Sequence, residues 1–261
     1  MNEPNSQDNS PQDRSGETTW WSKFFVFSAL LSLVILISGP FGYKYGLTGL
    51  APSLISILVA LVGAVLVFLV GVIMVIVATR KALPKDRNLI FIAMAISLVP
   101  MMFVVPQMLK AQSVPGIHDI STDTDNPPEF SVLVTARSET DNDLIYEDET
   151  VEGQTAELQM AAYPNVKTAQ SDLSIEDAIN RAANILQNQG LEVANVDPVQ
   201  GIVEATATTA WFGFKDDVVV RATASDGGTL IDVRSVSRVG RSDIGANAAR
   251  IEEFLAAFTA I

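Results

Sequence analysis

The sequence contains no cysteine and a single histidine. No disulfide, thiol nucleophile or thiolate metal site can be built from it, and His118 is the one imidazole on offer as ligand or base. A multi-histidine zinc site is therefore excluded, and no cofactor is expected. Basic residues are scarce as well: 17 Lys and Arg stand against 30 Asp and Glu, a formal net charge of −13. After Gln107 the balance is 25 acidic to 10 basic residues. This balance argues against nucleic-acid binding driven by a basic surface, and such a domain would be repelled by anionic lipid headgroups. An anionic partner would need a local cluster of arginines.

Charge of either sign is missing over long stretches. Between Phe24 and Thr79 the one charged residue is Lys44, and from Asn88 to Leu109 there is none. Three apolar runs result. The first, Phe24 to Gly39, is long enough to span a bilayer once Trp20, Trp21, Phe41 and Tyr43 are counted as interface residues. The second, Leu54 to Thr79, carries no ionisable group over more than the roughly 20 residues a bilayer core requires. The third, Leu89 to Pro106, is shorter and holds Pro100, which predicts a kink or a slightly thinned bilayer.

The first run is not a signal peptide, because two more follow closely and the preceding segment is acidic. Small residues of the second run, Ala60, Gly63, Ala64 and Gly71, let another helix approach closely; packing within the chain is favoured over dimerisation.

Lysine and arginine stay on the cytoplasmic side of short loops. "RKALPKDR", Arg80 to Arg87, holds four basic residues and an acid, whereas the loop at Gly42 to Gly49 holds Lys44 alone. This predicts a cytoplasmic N-terminus and, after three spans, a periplasmic C-terminal domain on the bacterial inner membrane. The expected domains are 1–22, a disordered cytoplasmic tail; 23–109, three transmembrane helices; and 110–261, the periplasmic domain.

In the soluble part, Ala111 to Pro128 reads as an extended linker and Ser138 to Glu157 as an acidic surface loop. The core is expected from about Ser171. Ser174 is a plausible N-cap, with Glu176 and Asp177 in the first turn, Ile179, Ala182 and Leu186 on one face and Gly190 as the stop. Strand character follows at Leu191–Val196, Gly201–Phe212, Asp217–Ala224 and Thr229–Val239, with turn signals between, so consecutive strands pair antiparallel. Alternation puts Ile231, Val233, Ser235 and Ser237 on one face and Asp232, Arg234, Val236 and Arg238 on the other. A last helix is expected from near Ser242. The fold class is α+β: three transmembrane helices, then an antiparallel sheet covered by two helices.

"GIHDISTDTDNPPEF", "YPNVK", "TATTAWFGFKDDVVVR" and "IDVRSVSRVGRSDIGANAARIEEFL" together resemble the bacterial family DUF1499, over roughly Pro115 to the C-terminus. The resemblance implies a bacterial setting and no established activity. It singles out His118, Asp119, Asp123, Trp211, Phe212, Lys215, Asp216, Asp217, Arg221, Arg234, Arg238, Gly240, Arg241, Asp243, Asn247 and Arg250.

Three stretches are candidate sites. At Arg238 to Asp243, with Arg234 on the preceding strand, a strand meets a helix N-terminus. Free N–H groups, Arg238 and Arg241 could hold an anion there. The structural alternative is that Ser242 caps the helix, Gly240 makes the turn and the arginines pair with Asp216, Asp217, Asp232 or Asp243. "WFGFKDD", Trp211 to Asp217, sets three aromatics beside a lysine; an exposed edge would suit a protein or an acyl chain, and a buried one is core. His118, Asp119 and Asp123 form the one cluster that could supply an imidazole base for a hydrolase-like envelope enzyme. The favoured expectation is non-enzymatic: an integral membrane protein whose domain binds a protein partner or an anionic small ligand, and no nucleic acid.

Overall fold

The computed structural model describes residues 18–146 and 154–260. It divides into two compact units, residues 1–105 and 106–261. The expected tail lies outside the described residues up to residue 17.

In the first unit, α1 (Trp20–Lys44) and α2 (Leu50–Arg80) lead into α3 (Pro84–Ser113), which continues into the second. All three are long and apolar enough to cross a membrane. The small residues of α2 serve packing inside the chain. A Cβ at Gly63 would stand 2.9 Å from Ser32 Oγ of α1, and one at Gly71 would stand 2.6 Å from Met94 Cγ of α3. Ala29, Val67 and Ala93 meet where the three helices converge.

Helix α1 begins at Trp20, earlier than a disordered stretch to residue 22 allows, because α3 caps it. Asp86 Oδ1 accepts from Thr19 N at 2.8 Å, Thr19 Oγ1 at 2.7 Å and Ser22 Oγ at 2.6 Å. A buried carboxylate at a helix N-terminus satisfies free donors and complements the helix dipole.

The second unit is the expected α+β domain. Strands β3 (Glu192–Asp197), β4 (Ile202–Thr208), β5 (Lys215–Ser225) and β6 (Gly228–Ser237) form an antiparallel meander. Two three-residue strands, β1 (Asp119–Ser121) and β2 (Ala169–Ser171), both pair with the outer edge of β6. Helices α5 (Ile175–Asn188) and α6 (Ala246–Thr259) cover one face. Ile231, Val233, Val203, Ala205, Val218 and Val220 bury there against Ile179, Ala182, Leu186, Ile251 and Phe254.

The ends of α5 match the sequence. Ser174 Oγ accepts from Asp177 N at 3.1 Å. At the other end Gly190 takes φ +83°, and its N–H and that of Leu191 return to Gln187 O and Leu186 O at 2.9 and 3.0 Å. These paired bonds close the helix on a left-handed glycine.

Three expectations change. The linker at 111–128 is part of the domain: α3 runs to Ser113 and β1 pairs in the sheet. The acidic loop ends in a helix, α4 (Thr155–Ala162), and residues 147–153 of that loop lie outside the described set. The last helix starts at Ala246, because Ile244 and Gly245 both take positive φ, +54° and +74°, and turn the chain first.

Candidate functional site

The face of the sheet turned away from α5 and α6 is charged and buried. Glu204, Asp217 and Asp232 line it with Arg234 and Arg238, each no more than 9% exposed, and Asp119 joins them from β1. A segment of little regular structure, residues 122–146, lies over this face as a strap. The charges hold it there.

Arg234 donates through Nε and Nη2 to both oxygens of Asp119, at 3.0 and 2.6 Å. Its remaining donors reach the strap carbonyls of Pro128 at 3.2 Å and Leu144 at 2.8 Å. The rings of Phe130 and Tyr146 each stand 5.7 Å from its guanidinium carbon. A planar five-donor group suits this seat, and lysine does not.

Asp217 accepts from Arg238 Nε and Nη2 at 3.0 and 2.8 Å, Arg137 Nη1 at 2.7 Å and Thr206 Oγ1 at 2.8 Å. Arg238 also binds Ala136 O at 2.8 Å. Burial pushes the Arg137 guanidinium below its usual range, against the pull of Asp217. Arg221 bridges Asp123 at 3.2 Å and Asp232 at 3.1 Å, and Asp232 further accepts from Thr122 and Thr168.

Glu204, the lone charge in a strand of Ile, Val, Ala and Thr, accepts from Ser131 N and Oγ, both at 2.8 Å, from Val132 N at 3.0 Å, from Leu133 N at 3.3 Å and from Asn195 Nδ2 at 3.1 Å. It caps the 3-10 turn Leu133–Ala136 of the strap. Burial raises its carboxyl, but the donors from Val132, Ser131 and Asn195 outweigh this and hold it below the usual range.

The Arg238–Asp243 junction is divided by this network. Arg234 and Arg238 are committed to Asp119 and Asp217. Gly240, at φ +92°, makes the turn, and its carbonyl accepts from Asn142 Nδ2 of the strap at 2.8 Å. Arg241 is exposed and forms no ion pair among the described residues.

The residue that serves the start of α6 is Asp243, not Ser242. Asp243 Oδ2 accepts from Asn247 N at 2.6 Å and Oδ1 from Gly245 N at 2.8 Å, while Ser242 Oγ reaches Ile244 N at 3.2 Å. Burial pushes the Asp243 carboxyl up, with Asp216 adding to that, against the hydrogen bonds from Asn247 and Gly245. An outside anion at this helix end competes with a tethered carboxylate, so Arg241 is the cation of the junction without an ion pair among the described residues.

His118 is half-buried, and its carbonyl accepts from Ser237 N at 3.0 Å and Asn247 Nδ2 at 2.9 Å. The carboxylate of its neighbour Asp119 is held by the Arg234 guanidinium. Asp123 caps its own turn through the N–H groups of Asp125 and Asn126 and binds Arg221. The three residues are near in sequence, yet both carboxylates are spent on arginines and turn amides. Among the described residues no group of three His, Asp or Glu is placed to hold a metal ion.

On the helical face Asp216 binds Arg250 at 2.7 Å, and Arg250 Nη1 reaches Ser235 Oγ and Asn247 Oδ1. Beside this pair a cleft of about 300 Å3 opens between Gln189, Leu191, Thr208, Ala249 and Glu253. Both polar atoms of the Gln189 amide are buried there with no hydrogen-bond partner among the described residues.

Arg137, Glu204 and Asn142 escape a reading of the sequence. The signal for Glu204 was there, an acid at a position where the strand pattern requires a buried side chain; Arg137 and Asn142 sit in a stretch with no pattern at all.

No curated protein matches the chain. The family profile described as "Protein of unknown function (DUF1499)" matches residues 119–258, from the first strand into the last turn of the last helix. The match takes in the whole sheet, the strap and both covering helices, and the chain belongs to the DUF1499 family.

Proposed function

We propose that the protein is a membrane-anchored module of the bacterial envelope that binds or assembles with a partner, its N-terminus cytoplasmic and its α+β domain periplasmic. The four basic residues of Arg80 to Arg87 support that orientation. The observation that carries the binding role is Arg241. It stands exposed on a turn whose neighbours are fixed: Arg238 by Asp217, Gly240 by Asn142 and Asp243 by the first amides of α6. A cation held out on a rigid support loses little freedom on capturing a carboxylate or phosphate, whether on a protein or on a small ligand.

The test is capture from mild detergent extracts by full-length protein, wild type against Arg241→Ala, alongside titration with a panel of phosphates and carboxylates. A partner or saturable ligand lost in the variant, with its unfolding unchanged, supports the reading. Capture and binding that are identical in both proteins contradict the role given to Arg241.

A further inference from the structure

We propose that the cleft beside Arg250 takes the amino-terminal end of a short peptide. The Gln189 side-chain amide pairs with the backbone of the peptide's second residue, and Glu253 faces the terminal ammonium. The site lies wholly within the α+β domain, so it depends neither on Arg241 nor on how the protein is oriented in a membrane.

The cleft stands where α5 and β4 end and α6 begins. Gln189 closes α5, Ala207 belongs to the end of β4, and Ala249, Arg250 and Glu253 lie on the first half of α6. Its volume of about 300 Å3 is that of roughly ten water molecules. That is the lower end of the range for small-ligand sites and too little for a folded segment.

Gln189 is the residue that asks for a ligand. It is half-exposed, yet its amide nitrogen and oxygen are both shut off from solvent and have no hydrogen-bond partner among the described residues. What faces outward is backbone and aliphatic stem. Long polar side chains ordinarily do the opposite, laying the apolar stem on the protein and sending the polar head to water. An amide shut in this way loses its water and gains nothing in return. Its backbone is anchored, since Gln189 N donates to Ile185 O at 2.9 Å. Rotation about the side-chain bonds alone therefore carries the amide into the cleft that it borders. There its NH2 donor and its oxygen acceptor match the C=O and N–H of one extended residue, which point to the same side.

Charge on the walls selects which end of a peptide enters. The Arg250 guanidinium is answered by Asp216 at 2.7 Å and by Ser235 Oγ and Asn247 Oδ1. Glu253 is exposed and forms no ion pair among the described residues. Gln189 also brings to the cleft the C-terminal end of α5, whose dipole favours positive charge. The surplus is negative: it draws an ammonium and turns away a carboxylate. Leu191, Ala207 and Ala249 make the rest of the wall apolar and suit small side chains.

Titration calorimetry of full-length protein in detergent with alanyl-alanine amide tests this. Saturable binding is expected, weakened about tenfold or more by N-acetylation of the peptide, by Glu253→Gln and by Gln189→Leu, the scale of one lost hydrogen bond or charge contact. Because the Gln189 amide is unpaired without ligand, Gln189→Leu should leave the thermal midpoint of the peptide-free protein unchanged or raise it. Dialanine with a free carboxylate separates two sources: binding equal to the amide's assigns the site to free dipeptides, and binding of the amide alone assigns it to the amino terminus of a longer chain. No saturable binding to the wild type overturns the proposal, as does binding that acetylation, Glu253→Gln or Gln189→Leu leaves intact. A lower midpoint in Gln189→Leu would show the amide already satisfied in the fold and overturns it too. The probe carries no anionic group, so its failure leaves the reading of Arg241 standing.

Discussion

Arg234 sets the terms at the scale of single residues. It fills all its geometry at once, with a fork onto Asp119, two strap carbonyls and two flanking rings. Replacing it by methionine keeps much of the volume and strands the Asp119 carboxylate. Loss of one partner from a buried ion pair costs about 3–5 kcal/mol, to be read as a lower midpoint in denaturant unfolding. Arg234→Lys should recover only part of this, since a point charge cannot span both oxygens and two carbonyls.

Arg241→Ala should change stability by less than about 0.5 kcal/mol, as a surface substitution does. Equal losses at 234 and 241 would refute the division between locked and exposed arginines. Glu204 gives a pH signature. Its carboxyl lies below the ordinary range when folded, so its stabilising contribution is complete above the unfolded value of about 4.3 and is lost as pH falls through the folded one. Glu204→Gln should flatten the fall of unfolding free energy between about pH 5 and 3. An unchanged slope would mean the five donors do not favour the charged form.

Among elements, the two ends of α5 were legible because local chemistry decides them: a serine that caps and a glycine that turns left-handed. The start of α6 was not. Ser242 and Asp243 are both good capping residues, and the choice fell to Asp243 because Ile244 and Gly245 reverse the chain before the helix begins. Asp243→Ala should therefore cost about 1 kcal/mol, the usual worth of a cap. Ser242→Ala should cost clearly less, with thermal unfolding of the two variants as the comparison.

The strap shows a different limit. Residues 122–128 read as linker, 138–146 as loop and those between as nothing in particular, because their work is done by backbone carbonyls and amides facing Arg234, Arg238 and Glu204, and backbone groups leave no mark in a sequence. Strands β1 and β2, three residues each, are too short to show alternation. The charged face itself was half visible: Asp232, Arg234 and Arg238 were placed on one side of β6 correctly, and what covered that side had no periodic signal.

For the whole molecule, composition separates two regimes. Unit one is a set of three apolar helices joined through small residues and one capping aspartate, Asp86. Unit two is an acidic sheet whose buried acids are matched by arginines and amides. The proposed account joins them into an anchor and the module it displays, with Arg80 to Arg87 retained in the cytoplasm.

Because the chain has no cysteine, single cysteines report orientation without background. The most direct measurement is labelling of Lys81→Cys and Gln187→Cys, both at exposed positions, with a membrane-impermeant maleimide in spheroplasts. The account predicts that position 187 reacts at once and position 81 reacts only after the membrane is permeabilised. Reaction at 81 with protection at 187 would invert the protein, and reaction of neither before permeabilisation would place the domain in the cytoplasm; either result contradicts a periplasmic module on a three-helix anchor.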